Sequence, residues 1–104
     1  MRSSKYTVRL LSIAEQDLDE LVSYLAAEHP QAATEVLDHI DARVQTLAAH
    51  PFAGRVPHNS TLTAFGYRVL VIDNYLVFYK VKSTTVLVYR ILHGARDILH
   101  LLSE

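Results

Sequence analysis

The side chains that could carry chemistry gather where the last predicted strand ends, in the stretch VYRILHGARD at residues 88–97. His93 could act as a general acid or base, because an imidazole changes its charge near neutral pH. Arg96, together with Arg68 from an earlier strand, could hold a phosphate group. A structural interpretation also stands, in which His93 bonds to backbone and Arg96 pairs with Asp97 to cap the tail. The residue types therefore permit proton transfer beside an anion without requiring it.

Other kinds of site find little support in the residue pattern. The chain has no cysteine, which excludes disulfides, thiol catalysis and Cys-based zinc sites. It has six histidines but neither an H-x-H nor an H-E-x-x-H motif, so we predict no metal site. It also lacks a G-x-S-x-G motif and a glycine-rich phosphate loop, so we predict no serine nucleophile and no cofactor.

The elements that must position these residues follow from periodicity and turn signals. Ser12 and Glu15 predict a capping box at the start of a first helix. Pro30 suits the first position of a second helix, and Pro51 disfavours its continuation. The predicted elements are a strand (5–11), a helix (12–28), a second helix (30–50), a loop (51–66), three strands from residue 67 onward and a short C-terminal helix.

The three later strands should form an antiparallel meander. Residues 73–74 and 83–84 are natural two-residue turns between alternating apolar runs. The two helices should form a hairpin whose apolar face needs a sheet to cover. The sequence therefore predicts one α+β domain over residues 1–104, with element order β-α-α-β-β-β, a short C-terminal helix and an antiparallel sheet that carries the hairpin on one face.

Strand parity divides the meander into two predicted faces. The first is almost purely apolar and is predicted to meet the helical hairpin: Val69, Val71, Leu76, Phe78, Leu87, Tyr89 and Ile91. The second mixes apolar residues with arginines and tyrosines and is predicted to be covered by a partner: Arg68, Leu70, Ile72, Tyr75, Val77, Tyr79, Val86, Val88, Arg90 and Leu92.

The charge balance and the absence of long apolar runs restrict the partners. The 104 residues carry a net charge of −1 with histidine neutral, so no global field for nucleic acid is expected, although a local basic patch remains open. The N-terminus lacks the apolar segment of a secretory signal, and no apolar run approaches the roughly 20 residues that span a bilayer. We therefore predict a cytoplasmic protein that does not engage a membrane.

Five stretches, taken in order, carry a resemblance that covers essentially the whole chain. They are AEQDLDELVSY (14–24), HPFAGR (50–55), GYR (66–68), YLVFYKV (75–81) and YRILHGARD (89–97). In order and spacing they resemble the RelE/ParE superfamily, the toxins of type II toxin–antitoxin pairs. The resemblance implies the RelE/ParE fold and a cognate antitoxin, ParD-like or similar, as partner in a hetero-oligomeric complex.

The resemblance implies one of two activities. RelE-like members are ribonucleases that cut mRNA on the ribosome, whereas ParE-like members inhibit DNA gyrase without a known catalytic step of their own. The ribonucleases tend to carry basic residues at the positions of Arg68, Leu70, Leu76 and Arg96 and a tyrosine near the position of Leu102. Three of these five positions are therefore leucine here. Cutting by the 2′-hydroxyl of RNA needs stabilised charge and proton transfer, which only a depleted set could supply. If the chain is a ribonuclease, its catalytic residues are Arg68, His93 and Arg96.

The tail from Ile91 to Leu102 is similar to the ParE tail, and we therefore favour a ParE-like gyrase inhibitor that causes growth arrest or plasmid stabilisation. A RelE-like ribonuclease acting on ribosome-bound mRNA is the alternative, and an antitoxin-binding protein without toxicity is a third possibility. The predicted antitoxin-binding residues are Arg68, Tyr75, Tyr79 and Arg90, and the predicted target-binding residues are His93, Arg96 and Leu99.

Overall fold

The computed structural model of the chain describes residues 5–94. The predicted order of elements is confirmed in that range, with one additional short helix before the meander. The predicted C-terminal helix lies outside the described residues. The elements are β1 (Thr7–Leu10), α1 (Ser12–Glu28), α2 (Pro30–Gln45), α3 (Ser60–Ala64), β2 (Arg68–Ile72), β3 (Tyr75–Lys82) and β4 (Thr85–His93), and a 3₁₀ turn over Thr46–Ala48 follows α2.

The two long helices form because apolar side chains recur at helical spacing above a polar outer face. Pro30 opens α2 as predicted. The predicted capping box is wrong, because the extended residue before α1 is Leu11, whose carbonyl oxygen accepts from the N–H groups of Ala14 and Glu15. Ser12 already lies inside the helix, where its hydroxyl cannot act as an N-cap. No helix within residues 5–94 is long and apolar enough to cross a membrane.

The four strands form one sheet in the order β1-β4-β3-β2. β2, β3 and β4 make the predicted antiparallel meander, whose turns place Asp73 and Ser83 at a φ of 54°. β1, however, pairs with β4 in parallel. The prediction of a wholly antiparallel sheet is therefore wrong. The helical hairpin carries the chain across the sheet before the meander begins, so β1 and β4 run in the same direction.

The hairpin of α1 and α2 covers one face of the sheet, as predicted, but it is the opposite face from the predicted one. Val69 and Phe78, predicted to meet these helices, belong to a second cluster that Leu62 of α3 covers. The main core instead joins Ile40 and Val44 of α2 to strand residues of the other parity. Both faces of the meander are apolar, so hydrophobicity alone does not choose between them. The sheet residues in the main core are Leu70, Ile72, Val77, Tyr79, Val86, Val88 and Ile91.

A β-bulge in β4 reverses the parity of the strand near its end. The pairing shifts between Phe78 and Tyr79 of β3, so β4 holds one extra residue there. Val88 and Ile91 therefore both lie in the main core, although an unbroken strand would put them on opposite faces. Leu92 lies in the second cluster. The predicted grouping of Leu92 with Val88 on one face is wrong for this reason.

The segment predicted as a loop, residues 51–66, is attached to the sheet and contains α3. Arg55 and Val69 exchange two backbone hydrogen bonds, which adds a short bridge to the edge of β2. Asn59 caps α3, because its side-chain oxygen accepts from the Leu62 N–H. The loop prediction is wrong for α3, because a five-residue helix is too short to show a helical period.

Candidate functional site

Charge is divided unequally between the two layers of the fold. α1 and α2 together carry eight acidic residues and one basic residue, Arg43. The rest of the described chain carries seven basic residues and one acidic residue, Asp73. The net charge of −1 therefore conceals an acidic helical layer and a cationic sheet layer. A field that could attract an anionic partner exists on the sheet side, although the total charge did not predict it.

We call the sheet face turned away from α1 and α2 the open face. α3 covers its part near Val69 and Phe78. Beyond α3, the strand register places Arg9, Leu87 and Lys80 in one row across β1, β4 and β3. Among the described residues, the charged groups of this face are all cationic. Its partly or fully exposed side chains are Arg9, Tyr67, Val71, Leu76, Lys80, Lys82, Leu87 and Tyr89.

Lys80 lies among aromatic rings near the middle of the open face. Its Nζ is 4.5 Å from the ring centroid of Tyr67, 5.1 Å from that of Tyr89 and 5.9 Å from that of Phe65. Tyr67 and Tyr89 meet edge to face, with 5.3 Å between centroids. The negative ring faces attract the ammonium group. No carboxylate of residues 5–94 forms an ion pair with Lys80, so the rings hold its charge in place without neutralising it.

The same cluster changes the acidity of Tyr67. Burial raises the pKa of its phenol above the ordinary value of 10.0, and the neighbouring phenol of Tyr89 raises this pKa further. Because the folded pKa exceeds the unfolded one, the resulting stability is present below about pH 10 and is lost as the pH rises through the folded pKa.

We therefore expect the absorbance of tyrosinate to reveal a late-ionising tyrosine in an alkaline titration of the folded protein. The substitution Tyr67→Phe should remove this late step, because it removes the partly buried phenol whose pKa is raised. Tyr24→Phe is the matched control, since it removes a phenol that is 72% exposed and lies outside this cluster, and the late step should remain in that variant. A late step that survives in Tyr67→Phe would contradict the assignment.

Arg68, predicted as a catalytic and antitoxin-binding residue, holds the segment before α3 against the sheet. Its Nε donates to the Gly54 carbonyl oxygen and its Nη2 donates to that of Phe52, each at 3.2 Å. Its guanidinium also lies 5.3 Å from the centroid of the Phe52 ring. The buried hydroxyl of Tyr79 accepts a hydrogen bond of 2.8 Å from the Gly54 N–H. Both side chains are therefore engaged within the fold, and Tyr79 has no exposed surface.

Arg90, also predicted to bind an antitoxin, is attached to the helical layer through Asp17. Its Nε donates to Asp17 Oδ2 at 2.8 Å, and its Nη2 donates to Asp17 Oδ1 at 3.0 Å. The Ile91 N–H, beside the bulge, donates to the same carboxylate at 3.0 Å. The sequence did contain a signal for Asp17. It lies three residues after Ala14 and four before Leu21 on the apolar stripe of α1, where an acidic residue indicates a buried partner.

His93 and Arg68, predicted to lie near each other, pair with positions on β3 that are four residues apart. His93 pairs with Tyr75, and their rings pack with 5.3 Å between centroids. Arg68 pairs with Tyr79 on the other side of β3. Tyr75 and Tyr79 are four residues apart, which is about 13 Å along a strand at roughly 3.3 Å per residue. The structure therefore does not bring His93 and Arg68 into one site.

The remaining predicted features of the site are placed only in part. Arg96 and Leu99 lie outside the described residues. Antitoxin binding by Arg68, Tyr75 and Arg90 stays a prediction. Within residues 5–94, no three Asp, Glu, His or Cys side chains converge where they could hold a metal ion.

Comparison with known sequences identifies a family. The chain matches the family model of the ParE toxin of type II toxin-antitoxin system, parDE, over residues 8–98. No curated protein sequence matches it significantly.

Solved structures with the same fold include a chain of a ParDE system and a chain of a RelBE2 complex. The chromosomal ParDE toxin–antitoxin system from P. aeruginosa contains a chain 22% identical to this one, with a TM-score of 0.74 over 88% of this chain and 99% of that chain. The toxin–antitoxin complex RelBE2 from Mycobacterium tuberculosis contains one 23% identical, with a TM-score of 0.62 over 90% of this chain and 97% of that chain. At such identities the likeness establishes the fold, and the fold does not separate the two activities.

Proposed function

The chain belongs to the ParE toxin family of type II toxin–antitoxin systems, and we propose that it inhibits DNA gyrase and is neutralised by a cognate antitoxin. We place its action in the cytoplasm, where it would arrest growth or stabilise a plasmid that carries the pair. The family match supports the assignment to the ParE branch. The two related structures are described as a toxin–antitoxin system and a toxin–antitoxin complex, which supports an antitoxin as partner.

The observation that carries this proposal is the separation of Arg68 from His93, two of the three residues that a ribonuclease would need. Cleavage at a phosphate requires a proton-transfer group and a cation at the same few atoms. His93 and Arg68 instead pair with opposite ends of one segment of β3, about 13 Å apart along the strand. Arg68 also donates two hydrogen bonds to the carbonyl oxygens of Gly54 and Phe52, so these donors are already engaged within the fold.

Two leucines strengthen the argument. Leu70 and Leu76 occupy positions at which the ribonuclease branch tends to carry cations, and Leu70 is buried in the main core. A leucine supplies no charge to a scissile phosphate, and each lost contact of this kind typically costs about 10²–10³ in rate. A gyrase inhibitor that works by binding needs no such contacts.

The ribonuclease alternative has one observation in its favour, the cationic open face. Arg9, Lys80 and Lys82 share that face and could attract the phosphates of RNA. This observation concerns attraction and supplies no proton-transfer group, so it does not outweigh the separation of His93 from Arg68.

We expect the purified toxin, freed from its antitoxin, to inhibit DNA supercoiling by gyrase at a concentration close to that of the enzyme. A binding inhibitor acts stoichiometrically, whereas a ribonuclease turns over. The same preparation should leave mRNA intact in a translating extract, as measured by primer extension. Adding the antitoxin back should restore supercoiling, which serves as the control for specific inhibition.

The variant His93→Ala distinguishes the two activities. Cleavage of mRNA by the wild type that disappears in His93→Ala, with an unchanged unfolding curve, would establish the ribonuclease and overturn the proposal. Under the gyrase assignment, Leu99→Ala should reduce toxicity about as much as His93→Ala or Arg96→Ala. A protein that binds its antitoxin but neither inhibits gyrase nor cleaves mRNA would be the non-toxic alternative.

A further inference from the structure

We propose that the open face is the docking surface for an acidic, partly apolar segment of the antitoxin, with Lys80 as the anchoring cation. The inference rests on the proposed antitoxin partner and does not depend on gyrase as the target. It also differs from the antitoxin contact predicted from the sequence, because that contact lay on the face of the sheet that α1 and α2 cover.

The charge pattern of the open face determines the chemistry of its ligand. Lys80 and Lys82 lie two residues apart on β3, about 7 Å along the strand, and Arg9 lies two strands away, about 10 Å across the sheet. Leu87 lies between Arg9 and Lys80 in the register, and Tyr67 lies beside Lys80. A complementary segment therefore carries carboxylates separated by apolar side chains. The acidic layer formed by α1 and α2 would repel the same segment.

The surroundings of Lys80 favour the binding of a carboxylate. Its ammonium group is held near three rings, so little side-chain freedom remains to be lost on binding. No ion pair with a carboxylate of residues 5–94 must be broken first. The surrounding rings exclude part of the water, which strengthens attraction to an incoming anion. These features make Lys80 a stronger anchor than an ordinary exposed lysine.

The same rings argue against single-stranded nucleic acid as the occupant. Such strands bind by stacking their bases on free aromatic faces. Here the ammonium of Lys80 occupies faces of Tyr67 and Tyr89, and the two rings meet edge to face. Phe65, which is 63% exposed, is the ring of this cluster with a largely free surface. A single free ring is a poor stacking platform, so an acidic peptide fits the surface better.

The test uses the full-length toxin and its cognate antitoxin, with affinity measured by calorimetry at several salt concentrations. Lys80→Met removes the charge and keeps an unbranched side chain that is one atom shorter, and we expect it to weaken binding by about tenfold. Its affinity should also fall less steeply with salt than that of the wild type. Arg43→Met is the matched control. It removes the same charge from the acidic layer and should bind within about twofold of the wild type.

Arg9→Met provides a second variant on the exposed edge of the face, and it should also weaken binding even if Lys80→Met folds poorly. Unchanged affinity in both open-face variants would overturn the inference, as would an equal loss in Arg43→Met, which would indicate a net-charge effect.

Lys80-dependent binding of oligodeoxythymidylate, with antitoxin affinity unaffected, would overturn the inference in favour of nucleic acid. Lys80-dependent self-association in sedimentation, again with unchanged antitoxin affinity, would overturn it in favour of a second copy. Failure of gyrase inhibition with Lys80-dependent antitoxin binding would contradict only the proposed target.

Discussion

Asp17→Asn is expected to lower the free energy of unfolding by about 2–3 kcal/mol, because it removes the charge that Arg90 and the Ile91 N–H share. The side chain of Asp17 is 12% exposed and that of Arg90 is 30% exposed, so water replaces the lost contacts only in part. An ordinary surface ion pair contributes about 1 kcal/mol or less. The larger figure expected here comes from the bidentate geometry and from the additional backbone donor.

The measurement is equilibrium unfolding in urea, with Asp19→Asn as the control. Asp19 lies on the same helix and carries the same charge, but it is exposed, and its replacement should change stability by about 0.5 kcal/mol or less. Equal midpoints for the two variants would show that the contact with Arg90 does not stabilise the fold. The contact also joins α1 to the bulge of β4, so its loss should weaken the attachment of the helical hairpin to the end of β4.

Gly54→Ala is expected to lower the free energy of unfolding by about 2–4 kcal/mol, because there is no room for a Cβ atom at this position. The added carbon would lie 2.7 Å from the Tyr79 hydroxyl oxygen and 2.8 Å from the Val69 carbonyl oxygen. The carbonyl belongs to the backbone of β2, which cannot turn aside as a flexible side chain would. The bridge between Arg55 and Val69 would have to separate to relieve the overlap.

Two further variants separate the steric effect from the hydrogen bond in this prediction. Tyr79→Phe removes the acceptor of the Gly54 N–H and adds no atoms, so it should cost about 1–3 kcal/mol. Ala53→Ser, at the exposed neighbouring residue, should cost about 0.5 kcal/mol or less. Thermal unfolding followed by circular dichroism compares all three. A Gly54→Ala protein as stable as Ala53→Ser would show that the segment before α3 is not held closely against β2.

The candidate site was predictable to a different extent at each residue. His93 and Arg68 were identified from residue type, but whether they act together depended on which ends of β3 they pair with, and residue types do not contain that register. Lys80 received no prediction, because a lysine on a strand is ordinary in sequence. Its significance comes from rings contributed by a segment before β2 and by β4, which the tertiary fold brings together.

The class of fold, the two long helices, the meander, its two turns and the family resemblance were predictable from the sequence, because each depends on local spacing or on short motifs. Which face of the sheet the helices cover was not predictable in this way. Both faces of the meander are apolar, so hydrophobicity does not distinguish them. The parallel pairing of β1 and the bulge before Ile91 also cannot be predicted from short-range periodicity. Crossovers between parallel strands keep one hand as a rule, so the covered face follows from strand order and direction rather than from hydrophobicity. The division of charge between an acidic helical layer and a cationic sheet was likewise not predicted, because a net charge of −1 does not say on which layer each charged residue lies.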